Sequence, residues 1–451
     1  MNKLKINRKI FESKNTDKLL LKFAVPSMVA LLVIELYNMV DTIYVGRNLG
    51  SIAIGALAIA FPIQRLLSAL GLLIAVGSYT AVSRNFGEKN YKDLKTVIKN
   101  SITLTILTMF IVTSVLHVFL NPIITALGAS STIFPYAKDY LGIVIFGGIF
   151  QGIAIVMCYI KTALGDTKIT LKATSTGALL NIILDYVLVV LYPLGVKGAA
   201  ISTVVSQLVS FLYAWYKFFS VKEGFDLNLS FELDHDISTE ILAVGFSTFI
   251  VEISDAIVAV LLNNMLLSYG GDKALIIIGV TTRISMFLFI TVIGISSAMQ
   301  PIAAFNYGAE NLYRVKEVVK KTIKYVTMFS TVVWLLMMAL PQYIIGFFMV
   351  DPKLLSETVR ILRIIISVFP VVGIYYVAIY FYQAMGKRLK SLLLSIYRQI
   401  LIFIPLIFIM SQAMGLVGIW LSFPISDIIS AITGIFYINR AAIQFNKELE
   451  Y

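Results

Sequence analysis

The stretch Asn85-Phe-Gly87-Glu-Lys-Asn90, followed by Lys95, Val97 and Lys99, returns as Asn306-Tyr-Gly308-Ala-Glu-Asn311, followed by Lys316, Val318 and Lys320. Every one of these positions is displaced by 221 residues. The same offset carries Gly50 onto Gly271, Ala163 onto Ala384 and Gly165 onto Gly386. One deletion later the offset is 220, and Gly195, Gly198, Ser202, Ser206 and Ser210 fall on Gly415, Gly418, Ser422, Ser426 and Ser430. A half-length repeat in an apolar chain is the pattern of membrane transporters built from two homologous bundles.

Composition agrees. Of 451 residues 59% are hydrophobic and 14% charged, with a mean hydropathy of +0.88. Soluble domains carry roughly 25% charged residues, so most of this surface faces something other than water. One cysteine, Cys158, allows no intrachain disulfide. With only two histidines in the chain besides that cysteine, a zinc site of soft ligands is not expected. The net charge of +12 is dispersed between apolar spans instead of gathered on one face, so no nucleic-acid partner is expected.

A hydrocarbon core of ~30 Å takes ~20 apolar residues per helix. The chain offers Phe23–Val45, Ile52–Val82, Ser101–Leu120, Tyr140–Ile160, Ala173–Leu191 and Gly198–Tyr216. The second repeat offers Ile241–Ser268, Ala274–Ala304, Tyr325–Val350, Ile364–Met385, Ser391–Met410 and Leu416–Asn439. An even number of spans per repeat keeps both halves in one orientation. The expected fold is therefore an all-α membrane protein of twelve transmembrane helices. They form two pseudo-twofold-related six-helix bundles, residues 1–225 and 226–451, about an axis along the membrane normal. Lysine and arginine concentrate in alternate connections: the N-terminal stretch through Lys22, Arg84 to Lys99, Lys161 to Lys172, Arg314 to Lys324 and Lys387 to Lys390. By the positive-inside rule both termini are cytoplasmic.

An aspartate at a helix centre costs about 2.5–3.5 kcal/mol on the insertion scale, so each needs a reason. Six carboxylates fall inside the spans: Glu35, Asp41, Asp185, Glu252, Asp255 and Asp427. Asn181 and Asp185 are four apart and share a helix face, with Thr174 on the same stripe. Tyr37 shares a face with Asp41. A carboxylate, an amide oxygen and a hydroxyl are hard ligands for Na⁺, or a relay for H⁺. If Asp41 and Asp185 face each other in a dry site, both cannot ionise cheaply; a proton is kept or a cation sits between them. The repeat acts as a control, because Asp41, Asn181 and Asp185 map onto Leu262, Ile402 and Leu406. A structural network would recur in both halves, so the asymmetry points to function. Glu252 and Asp255 make either a second cation site or an ion pair with Arg283. Asp427 reads as a packing partner of Arg398, and Glu35 as lining the same cavity as Asp41 or a neighbouring helix. Pro26 marks either a bend or the start of the first helix.

Together these features resemble the multidrug and toxic compound extrusion (MATE) family. The resemblance is carried by Tyr37-Asn-Met-Val-Asp41-Thr-Ile-Tyr-Val-Gly46-Arg47, Leu164-Gly165-Asp166-Thr167-Lys168, Asn181-Ile-Ile-Leu-Asp185 and Gly195-Val-Lys-Gly198-Ala-Ala. It implies a V-shaped pair of bundles around a central cleft. It also implies an N-terminal cation site at Asp41, Asn181, Asp185 and Thr203 with Tyr37 beside it, these four being the ligands if the ion is Na⁺. Pro26 matches a proline at which bending is proposed in the family. Glu252 matches one residue of a second cation site found in some members. Its tenth-helix aspartate has no counterpart in Ile364–Met385. The implied function is an antiporter of a bacterial-type plasma membrane, exporting organic cations or amphipathic drugs by alternating access. The protein would act as a monomer, with H⁺ or Na⁺ as coupling ion and no cofactor. The rival reading is a flippase of lipid-linked precursors from the same wider superfamily. No HExxH or GxSxG motif supports a membrane enzyme.

Overall fold

A computed structural model describes residues 10–13, 15–228, 230–231, 233–346 and 352–449, and these contain helices and connections but no strand. In hydrocarbon every backbone N–H and C=O must find a partner within the chain, which an apolar segment achieves by coiling into a helix. The first half holds α1 (Thr16–Gly50), α2 (Ile52–Glu88), α3 (Tyr91–Val118), α4 (Phe134–Ala163), α5 (Ile169–Leu191) and α6 (Val196–Gly224). The second half holds α7 (His235–Gly271), α8 (Lys273–Gly308), α9 (Leu312–Ala339), α10 (Pro352–Ile365 joined to Phe369–Ala384), α11 (Arg388–Met414) and α12 (Leu416–Phe445).

All twelve expected spans fall on these helices. The largest difference is at α10, which starts at Pro352 and bends by 47° before Phe369. Lys353, Glu357, Arg360 and Arg363 make its first segment too polar for a hydropathy reading to include. The ninth span was expected to reach Val350, which lies outside the described residues; α9 ends at Ala339, just before Pro341. Proline has no N–H to continue a helix and clashes with the turn before it.

The repeated residues hold repeated backbone. Gly50 and Gly271, with φ of 80° and 62°, divide α1 from α2 and α7 from α8. That conformation is closed to side chains with a Cβ. Asn90 and Asn311 cap α3 and α9 by accepting from the amides of Asp93 (3.2 Å) and Arg314 (3.1 Å). Lys89 and Glu310, the residues before them, both adopt positive φ. Packing repeats too. α4 lies against α3 and α6, and α6 against α5; the second segment of α10 lies against α9 and α12, and α12 against α11.

Two compact units result, and they are not the continuous halves 1–225 and 226–451. One comprises residues 1–12 and 29–249; the other comprises 13–28 and 250–451. The start of α1 thus belongs with the second repeat, and the start of α7 with the first. Side chains secure each exchanged segment. In the second unit Asp17 takes an ion pair from Lys321 (2.8 Å) and a hydrogen bond from Tyr325 (3.0 Å), while Arg314 donates to the Ser13 carbonyl. In the first, Asn100 Oδ1 accepts from the Asp234 amide (2.6 Å) and the Ser238 hydroxyl (3.2 Å), and Arg84 pairs with Glu240. Asp17 and Lys321 occupy the repeat positions of Ser238 and Asn100, so one clasp is built twice in different chemistry.

Candidate functional site

The polar groups of the first unit meet where α1, α2, α4, α5 and α6 supply one residue or more each. Asn181 and Asp185 are fully buried (both 0% exposed), on one face of α5. Immediately after Asp185 the helix loosens into a π segment, Tyr186–Leu191. Such widened turns recur at functional sites because they free backbone groups and re-aim side chains.

Asn181 is held from both ends. Its Nδ2 donates to Ser202 Oγ (2.9 Å), and that hydroxyl donates back to the Asn181 carbonyl (3.0 Å). The bonding fixes the amide so that its oxygen, Oδ1, is left without a donor. Thr203, one residue on, spends its proton on the Ala199 carbonyl (3.0 Å), and its oxygen is left to accept. Asp41 and Asp185 bring their carboxyl groups within hydrogen-bonding reach of each other. Two carboxylates offer only acceptors, so neither satisfies the other without a proton. Asp41 Oδ1, both oxygens of Asp185 and Asn181 Oδ1 are therefore four buried acceptors with no donor. A buried acceptor left unpaired costs about 1–3 kcal/mol, more when charged. A cation, or a proton shared between the acids, relieves several at once.

Of the expected site residues, Asp41, Asn181 and Asp185 lie together, and Tyr37 lies within electrostatic reach of Asp41, Asp185 and Glu35. Thr203 is linked through Tyr140, whose hydroxyl reaches Thr203 and accepts from Gln64 Nε2 (3.3 Å). Thr174 joins none of this bonding among the described residues. Tyr140, Gln64 and Ser202 are additions that sequence reading missed. Tyr140 stood at the edge of an expected span, where tyrosine usually reads as an interfacial anchor, yet it is 1% exposed. Ser202 was visible only as a marker of the repeat.

Pro26 lies well inside α1, which removes the reading as a helix-start proline. The helix passes from one compact unit to the other between Met28 and Val29, just beyond it.

The second unit gathers its polar groups differently. Arg398 reaches Asp427 Oδ1 through Nε (3.1 Å) and Nη2 (3.0 Å), the pairing expected for Asp427. Its Nη1 donates to the Tyr376 hydroxyl (3.2 Å), and its charge lies 5.5 Å from the centre of the Phe289 ring. Asp255 accepts from Gln399 and also lies within electrostatic reach of Arg398. Glu252 lies within reach of Tyr376.

Against known proteins, the family described as MatE matches residues 26–187 and 245–409. A multidrug export protein, MepA, of Staphylococcus saprophyticus is 26% identical over 448 residues, covering 97% of each chain. MepA of Staphylococcus aureus strain MSSA476 is 26% identical over 429 residues, covering 95% of this chain and 94% of that one. A solved structure described as the outward-facing conformation of a multidrug resistance MATE family transporter of the MOP superfamily superposes with a TM-score of 0.92. It shares 22% identity and covers 97% of this chain and 98% of its own.

Proposed function

We propose, from the premise that this chain belongs to the MATE family of membrane transporters, that it is a multidrug exporter driven by inward flow of H⁺ or Na⁺ through the Asp41–Asp185 site. The observation that carries the reading is the set of four buried acceptor oxygens without a donor, on Asp41, Asn181 and Asp185. Such a set is complete only with a cation or proton present. Asp41 and Asp185 supply charge, Asn181 a neutral oxygen fixed by Ser202, and Thr203 a hydroxyl oxygen. Tyr37 and Tyr140 border the carboxyl groups and limit water. The same residues serve Na⁺ as ligands or H⁺ as acceptors.

Coupling requires that ion and cargo favour different conformations, or compete, since an ion bound equally well by both states shifts nothing. An acidic site suits cargo that is cationic or amphipathic. In this reading the working unit is a monomer in a bacterial-type plasma membrane, and the basic connections support an orientation with both termini cytoplasmic.

The test is efflux of a fluorescent organic cation from sealed proteoliposomes under an imposed pH or Na⁺ gradient. Transport that follows one gradient and collapses in both Asp41→Asn and Asp185→Asn supports the reading, and that gradient names the ion. Undiminished transport in the two variants removes the coupling role from this site. No transport of organic cations under either gradient overturns drug export and turns the assay to lipid flipping.

A further inference from the structure

We propose that Arg398 is a tethered cation: its guanidinium permanently occupies the acidic cluster of the second unit, so that only the Asp41–Asp185 site exchanges an ion during transport. This rests on the coupling role given above to Asp41 and Asp185.

α5 and α11 correspond by the repeat, and each has a π segment beside polar groups, at different registers: at the 221 offset Arg398 falls on Gly177, about two turns before Asp185. Asp185 immediately precedes Tyr186–Leu191 in α5; Arg398 and Gln399 lie within Tyr397–Phe403 of α11. In α5 the acceptors face no donor. In α11 acceptors surround one. Asp427 takes two of the guanidinium bonds, and the Tyr376 hydroxyl takes a third. Phe289 and Tyr376 present ring faces 5.5 and 5.8 Å from the charge, a favourable setting for any cation. Asp255, Asp427 and Glu252 all lie within electrostatic reach of Tyr376.

A structural ion pair needs one carboxylate; here Asp427 and Asp255 both act on one base, with Glu252 within reach of the Tyr376 that it binds. Gln399 donates to Asp255, and its own Oε1 is buried without a donor. Without the guanidinium, Asp427, Tyr376 and Gln399 present a carboxylate, a hydroxyl and an amide oxygen. Those are the three ligand types assembled in the first unit. Arginine does not lose its proton in proteins, so while it is present this second cluster cannot cycle between loaded and empty.

The experiment counts cations on the purified full-length protein in detergent, as bound radioactive sodium and, in parallel, as proton uptake. Asp41→Asn is the background, and Arg398→Gln is added to it. The expected result is one additional Na⁺ per chain, displaced by millimolar guanidinium and lost again when Asp427→Asn is added. A merely structural ion pair would strand Asp427 and gain a proton without binding Na⁺. A proton gain alone, or no gain of either ion, overturns the proposal.

Should Arg398→Gln not yield folded protein, Arg398→Lys carries the test. It must gain no Na⁺ at neutral pH, and must gain one at alkaline pH as its ammonium deprotonates; the same Na⁺ count at both overturns the proposal. Asp41→Asn alone must bind less than the unsubstituted protein. If it does not, the coupling role of Asp41 falls, whereas the Arg398 comparison is still read within its single background.

Discussion

α5 and α11 are one helix of the repeat twice over, and they answer the same problem in opposite ways. Each must seat polar groups inside an apolar bundle. α5 carries Asn181 and Asp185 with oxygens that find no donor in the protein. α11 brings Arg398, whose hydrogens are shared among Asp427 and Tyr376. The first is complete only with something from outside; the second is complete on its own. A duplicated helix therefore seats polar groups in both halves, at different registers, and what differs is whether the compensating charge is free to leave.

The largest expected effect on transport lies on the incomplete side. Asp185→Asn keeps the shape of the site but removes the charge that draws an ion. Gradient-driven efflux should fall at least about a hundredfold, equivalent to about 2.7 kcal/mol of lost coupling. Asp41→Asn should match it in the same proteoliposome assay. Equal activity in either variant would break the comparison outright.

On the complete side the cost should appear as stability. Asp427→Leu strands a buried guanidinium, and removing one partner of a buried pair costs about 3–5 kcal/mol. Thermal unfolding in detergent should show the loss. Arg398→Met with Asp427→Leu should recover most of it, since apolar replacement of a whole buried pair is often neutral or better. A double variant as unstable as the single one would mean that Asp255 and Glu252 depend on Arg398 more than Asp427 does.

The glycines should make the halves behave alike. Gly50→Ala and Gly271→Ala each force a Cβ into a backbone region held almost only by glycine, at about 1–3 kcal/mol. The two losses in unfolding temperature should be similar. A large difference would show that one of the two breaks relaxes, and that the repeat is not mechanically equivalent there.

The smallest effect is also the most discriminating. Ser202 orients Asn181 across helices, whereas its repeat mate Ser422, among the described residues, donates to the Gly418 carbonyl of its own helix (2.9 Å). Ser202→Ala should weaken ion binding several-fold, about 1 kcal/mol for one lost hydrogen bond. Ser422→Ala should leave it unchanged. Equal effects would show that the serine maintains packing and does not position the amide.

Much of this was legible in the chain itself. Offset arithmetic gave two repeats, apolar length gave twelve spans, and four-residue spacing put Asn181 and Asp185 on one face of a helix. These are properties of short segments, set by backbone hydrogen bonding in hydrocarbon and by helical periodicity. The unbroken reading of the tenth span failed because an amphipathic segment before Phe369 has too little hydropathy to register.

What required the tertiary structure was every relation between segments distant in sequence. No local pattern shows that residues 13–28 pack with the second repeat and 226–249 with the first, because a helix start carries the same composition whichever unit receives it. Nor does spacing show that Tyr140 reaches Thr203, that Ser202 fixes Asn181, or that Gln399 donates to Asp255. A polar side chain in a membrane takes whichever partner the folded bundle brings within about 3 Å. That choice is made by packing, so it belongs to the fold and not to the segment.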